Sequence, residues 1–148
     1  TLGFKHHFGS IDIPFRLHDY VGGEWQYYRS DYNPLVDIYL DENVGAKTVL
    51  TIGDGLFGSK VLNGPPVTWY RFNNSVPNSM FLSTDPVAID CVMSDFLVAE
   101  AALDSSMDIP SWADDYLRLA ENAGLGLHER GDPFGSGYTE IDYMSFDL

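Results

Sequence analysis

The most constraining stretch of this chain is SMFLSTDPVAIDCVMSDFL, residues 79–97, because its hydrophobic period changes within a few residues. SMFLS is a short apolar run of the kind that forms a strand. Asp85 followed by Pro86 is what a helix N-terminus favours: a carboxylate that accepts an amide hydrogen bond, then a proline whose missing N–H costs nothing at the first helical position. Ile89, Val92, Met93, Phe96 and Leu97 follow on one stripe. A strand that feeds directly into a helix is the unit of a parallel sheet covered by helices.

The remaining segments fit the same scheme. Asn33 and Pro34 open a helix over residues 34–42, with Leu35, Ile38 and Tyr39 on one side. KTVLTI, residues 47–52, reads as a strand buried on both faces, and GDGLFG turns sharply away from it. Residues 56–78 hold too many Gly and Pro for a long helix, although VTWYRF allows a short edge strand. A second helix follows Pro110 and a capping Ser111, with Trp112, Tyr116, Leu119, Ala120 and Ala123 on its apolar side and Gly124 at its end. YTEIDY, residues 138–143, alternates as a strand does, and residues 1–32 read mostly as loop with one short element. The predicted fold is a single α/β domain over residues 1–148: a mostly parallel or mixed sheet flanked by helices, in which the strand at 47–52 neighbours the one at 80–83. Both loops that follow these strands then open on one rim, where ligands gather in such sheets.

That rim carries Asp54 and Asp85. Asp54 sits between two glycines, so a turn role explains it as well as a ligand role, and capping explains Asp85 without any ligand. If parallel strands bring the two together, they supply the hard oxygen ligands that suit Mg²⁺ or Ca²⁺. His7 is a third metal-ligand candidate, and Lys5, His6 and Asp90 are candidates for binding a ligand; consecutive His6 and His7 point to opposite sides of an extended segment, so one of them reaches a given site. Asp90 is one helical rotation of roughly 140° away from Asp85, which places it on another face. His18 and His128 are weaker candidates, and Cys91, within an apolar stripe, reads as core rather than nucleophile.

Composition removes several function classes. With 8 Lys and Arg against 22 Asp and Glu, the net charge is −14, which disfavours nucleic acid and anionic lipid. No apolar run is long enough to span a membrane, so a soluble protein is expected, cytoplasmic or exported if its parent carries a signal. A single cysteine permits no internal disulfide and no iron–sulfur cluster within this segment. GLGLHERG lacks the order of a dinucleotide loop, and the chain has no P-loop, no G-x-S-x-G elbow and no H-E-x-x-H, so no motif commits it to catalysis.

Three stretches in order, FKHHFGSI, VLTIGDGLFG and FLSTDPVAID, resemble the family called domain of unknown function 362. NGPP at 63–66 and AENAGLG at 120–126 fall where members of that family have Gly-Pro and Gly-Leu-Gly stretches. The resemblance implies the carboxyl-terminal part of the family, and hence a missing amino-terminal half as an intramolecular partner; a homo-oligomer is the other partner expected. The functional expectation is a divalent metal or small anionic ligand bound at the strand-end rim as part of a larger enzyme. The alternative is a non-catalytic structural or protein-interaction domain, with GEWQYYRSDY, residues 23–32, as its aromatic contact loop.

Overall fold

The computed structural model of the chain describes residues 20–21, 24–25, 31–60, 64–107, 109 and 114–147. In the stretch expected to be mostly loop, β1 (Tyr20–Val21) and β2 (Glu24–Trp25) form a minimal antiparallel hairpin. Helix α1 (Pro34–Leu40) starts as the sequence predicts, with the Asn33 side chain accepting from the Leu35 N–H at 2.9 Å. It ends two residues early, because Asp41 turns to an extended conformation.

The two expected neighbours do pair, as β3 (Thr51–Gly55) and β4 (Ser79–Ser83), but the ladder is antiparallel, from Thr51 opposite Ser83 to Gly55 opposite Ser79. Among the described residues no parallel pair is present, which corrects the parallel expectation for these two strands. The physical reason lies in the connection. A parallel return needs a crossover, usually helical, whereas residues 56–78 fold back on themselves through single bridges, Gly58 to Val67 and Trp69 to Ser75. VTWYRF is accordingly no edge strand, and Tyr70–Phe72 is a 3₁₀ turn. Residues 45–47 are another 3₁₀ turn, so β3 lies further along than expected and takes in the GDG triplet. Gly53 and Gly55 are tolerated in it because Met93 and Phe81 press where a Cβ would stand.

Helix α2 (Pro86–Ala101) runs through the centre and is covered on several sides. One side joins the main core: Val87 and Cys91 pack with Leu35, Val36 and Tyr39 of α1 and with Leu117 and Ala120 of α3 (Asp115–Asn122). Another carries Phe96 into an aromatic cluster, edge-on to Phe81 of β4 at 4.9 Å and 4.6 Å from Phe134. Gly124, at φ 78°, ends α3 in the left-handed position foreseen for it. The expected cap Ser111 and Trp112 lie outside the described residues. YTEIDY is not a strand: the Glu129 carboxylate accepts from the N–H groups of Thr139, Glu140 and Ile141 at 2.6, 2.9 and 2.8 Å, so those amides have no ladder to join. Among the described residues no helix is long and apolar enough to cross a membrane.

Candidate functional site

The antiparallel ladder decides the geometry of the acidic rim. Asp54 stands opposite Met80, whereas Asp85 lies two residues beyond Ser83, whose partner is Thr51. At about 3.4 Å per residue, Asp54 is some three residues, or roughly 10 Å, from the end of the ribbon that leads to Asp85. Each carboxylate is engaged locally. Asp54 accepts from Leu56 N–H at 2.9 Å, the turn role. Asp85 accepts from Val87 and Ala88 N–H at 2.8 and 2.9 Å, capping α2, and with its other oxygen from Leu127 N–H at 2.9 Å. Lys5, His6 and His7 lie outside the described residues. Among the described residues no group of three or more His, Cys, Asp and Glu is arranged to hold a metal.

Asp90 is buried and accepts from the Tyr116 hydroxyl of α3 at 3.3 Å. It belongs to a pattern that the pair Asp85 and Asp90 only begins. Acids recur every five residues, at 85, 90, 95 and 100, and each step turns the helix by roughly 140°, so successive carboxylates face different neighbours. Asp85 holds the loop after α3 and Asp90 holds α3 itself. Asp95 accepts from Arg130 Nε at 2.7 Å, from Gly131 N–H at 2.9 Å and from the Tyr138 hydroxyl at 2.9 Å. Glu100 accepts from Tyr70 and Arg71 N–H, both at 2.8 Å, and pairs with Lys60 Nζ at 2.9 Å. Four acids, the N-cap of α2 and three residues within it, thus fasten four separate segments. The five-residue spacing was visible in the sequence, but it matches neither helical face period and so carried no signal for amphipathicity.

Two polar clusters extend from this helix. Arg130 links Asp95 to Asp114, which it reaches at 2.9 Å, and Asp114 in turn meets His128 Nε2 at 2.9 Å. Burial works to raise the Asp114 carboxyl, but hydrogen bonds from Arg130 and His128 outweigh it and hold the group below its ordinary range. Cys91, beside this cluster, is fully buried, and desolvation pushes its thiol up to about 12, so it is a core thiol and not a nucleophile. The second cluster surrounds Lys60, which pairs with both Glu100 and Asp104 and lies 4.4 Å from the centre of the Tyr70 ring. Lys60 borders a cavity of about 450 Å³, also lined by Ser59, Thr68, Tyr70, Asn74 and Ser106. In both clusters the cations are paired with carboxylates of the same fold.

The ribbon is different. Its alternate residues on the side away from α2 are apolar and exposed: Leu50, Ile52, Leu56, Met80 and Leu82, with Leu82 at 62% and Ile52, directly opposite, at 58%. Asp54 shares that outward face. The expectation that this strand is buried on both faces therefore fails on one of them, where β3 and β4 have no third layer among the described residues. Compared with known proteins, the chain matches no family model, no curated protein and no solved structure.

Proposed function

We propose that this chain is a non-catalytic protein-interaction domain whose β3–β4 ribbon is completed by an extended segment of another polypeptide or of the rest of its parent protein. The observation that carries this reading is the outward face of Ile52, Met80 and Leu82, three large apolar side chains 58–62% exposed on a two-stranded ribbon. Contiguous exposed apolar surface rimmed by polar residues marks interaction sites, and a lone two-stranded ribbon has marginal stability of its own. The metal or anion reading drew on a rim shared by Asp54 and Asp85; with the two carboxylates at different ends of the ribbon and each tied to backbone amides, it has less support. The partner is complementary in charge, since an excess of 14 negative charges disfavours acidic surfaces and self-association alike.

Photocrosslinking tests this. Benzoylphenylalanine introduced at position 82 of the full-length protein, irradiated in the cells that make it, is expected to join a defined peptide outside residues 1–148, identified by mass spectrometry. The same probe at exposed position 118 is the control. Identical products from the two positions, or none from position 82, overturn the reading.

A further inference from the structure

We infer that the cavity bordered by Lys60 and Tyr70 is a binding site for a neutral sugar. The site is independent of the interaction reading and uses none of the ribbon's exposed residues. Its volume of about 450 Å³ lies within the range of small-ligand clefts, roughly 300–1,000 Å³. Uncharged polar side chains, among them Thr68, Asn74 and Ser106, share its lining with aliphatic Pro65 and Val67.

The walls are held in place by the fold itself. Val67 N–H donates to the Gly58 carbonyl at 2.9 Å and Trp69 N–H to the Ser75 carbonyl at 2.8 Å, which ties the chain down on both sides of Thr68. Asn73 and Asn74 both stand in the left-handed region, at φ 54° and 58°, and the Asn74 N–H donates to the Trp69 carbonyl at 3.0 Å. Residues other than glycine persist there only where their surroundings over-determine them, and they cluster at ligand sites. Tyr70 is held from two directions: the fully buried Glu100 accepts from its N–H at 2.8 Å, and Lys60 Nζ lies 4.4 Å from the centre of its ring. It is nonetheless 53% exposed, so an aromatic side chain already held in position is presented to solvent. A ligand that covers it loses little to ordering.

The hydrogen-bonding groups define the ligand. Lys60 Nζ lies 2.9 Å from Glu100 and 2.7 Å from Asp104, so its single charge is outnumbered and gives an anion little attraction. Ser106 works in the same direction: its hydroxyl donates to Asp104 at 2.7 Å, which leaves it only acceptor capacity toward the cavity. An ionised phosphate oxygen accepts and does not donate, so Ser106 offers it nothing. A sugar hydroxyl does both, as do the side chains of Thr68 and Asn74. The apolar CH face of a pyranose ring is matched by Tyr70, Pro65 and Val67.

The test is a titration of the protein's amide shifts with methyl β-glucoside, methyl β-galactoside and N-acetylglucosamine, each to about 50 mM, beside inorganic phosphate and adenosine. At least one sugar is expected to give saturable shifts at Tyr70, Asn74 and Ser106, with a dissociation constant on the order of millimolar. Asn74→Gly keeps the left-handed backbone and removes only the side-chain amide, so this variant is expected to fold and to bind that sugar about tenfold more weakly. Tyr70→Ala is expected to bind more weakly still. Binding of phosphate or adenosine at these residues as tight as that of the best sugar overturns the neutral-sugar assignment. No saturable shift at the three residues with any of the sugars, or unchanged binding by Asn74→Gly, overturns the site. Crosslinking from position 82 reports on the ribbon alone, so either result there leaves this test decisive.

Discussion

Glu100 and Lys60 meet at 2.9 Å with the Glu100 side chain fully covered, and the same carboxylate holds the Tyr70 and Arg71 amides at the start of a 3₁₀ turn. Removing it leaves two backbone donors and a lysine with one fewer partner. Glu100→Ala is expected to lower the unfolding free energy by about 3 kcal/mol, within the range for breaking a buried pair. Glu100→Gln retains one acceptor oxygen and is expected to cost about half as much, as read by urea denaturation. Equal losses for the two variants would mean that packing, and not the carboxylate, holds that loop.

Acid should weaken the fold through the same set of contacts. Glu100 and Asp114 lie below their ordinary values despite desolvation, because backbone and side-chain donors favour the ionised forms. The Lys60 hydrogen bond takes Asp104 down to about 2. A group with a depressed folded pKa contributes stability above its unfolded pKa, and that contribution is lost as pH falls through the folded one. The unfolding midpoint is therefore expected to decline from about pH 4.5 downward. A Lys60→Met variant should show a shallower decline, since Glu100 and Asp104 lose their shared cation.

The alkaline limit has the opposite sign. Desolvation raises Cys91 from 9.0 to about 12 and Tyr39 from 10.0 to about 12. Between those values the unfolded chain releases protons that the folded chain keeps, so stability is full below pH 9 and falls as pH rises toward 12. Native protein at pH 8 is expected to resist alkylation by iodoacetamide, and denatured protein to be alkylated at Cys91, as resolved by mass spectrometry. Rapid alkylation of the native state would place the thiol outside the core.

Asp85 and the loop after α3 form a coupled pair. A Cβ at Gly126 would overlap the Asp85 carboxylate and come within 2.8 Å of Val87 Cγ2. Asp85→Ala loses a cap and a loop contact and is expected to cost about 2 kcal/mol. Gly126→Ala should destabilise on its own, and the double variant should lose less than the two singles combined, because one overlap is relieved. Strict additivity in the cycle would sever the proposed contact.

The helices were legible because their signals are local: Asn33 before Pro34, Asp85 before Pro86, and Gly124 each act within a turn of their own position. Strand adjacency was legible too, since both runs are apolar. Direction was not, because it is set by whether residues 56–78 cross over or double back, and that depends on tertiary bridges such as Trp69 to Ser75. The site expectation rested on strand direction: a parallel rim would join Asp54 to Asp85, whereas in the antiparallel ladder Asp54 stands opposite Met80 and Asp85 lies beyond the other end of the ribbon. The fastening roles of Asp90, Asp95 and Glu100 were hidden for another reason. A buried acid is affordable only with its donors in place, and those come from Tyr116, Arg130 and Tyr70, far along the chain.

Phe81 and Leu82 are neighbours in β4 with opposite outlooks, and that contrast gives the most direct check on the ribbon. Phe81 packs edge-on against Phe96 at 4.9 Å and lies where a side chain at Gly55 would stand. Phe81→Ala is therefore expected to cost about 3 kcal/mol, at the low end for removing a core aromatic ring because Phe81 is only half-buried. Leu82 is 62% exposed, so Leu82→Thr should change the unfolding free energy by no more than about 0.5 kcal/mol in the isolated chain. The same substitution should weaken partner binding, because it removes apolar area only where a partner would cover it. A loss from Leu82→Thr as large as that from Phe81→Ala, measured by denaturant unfolding of residues 1–148, would mean that this chain covers the face itself and offers it to no partner.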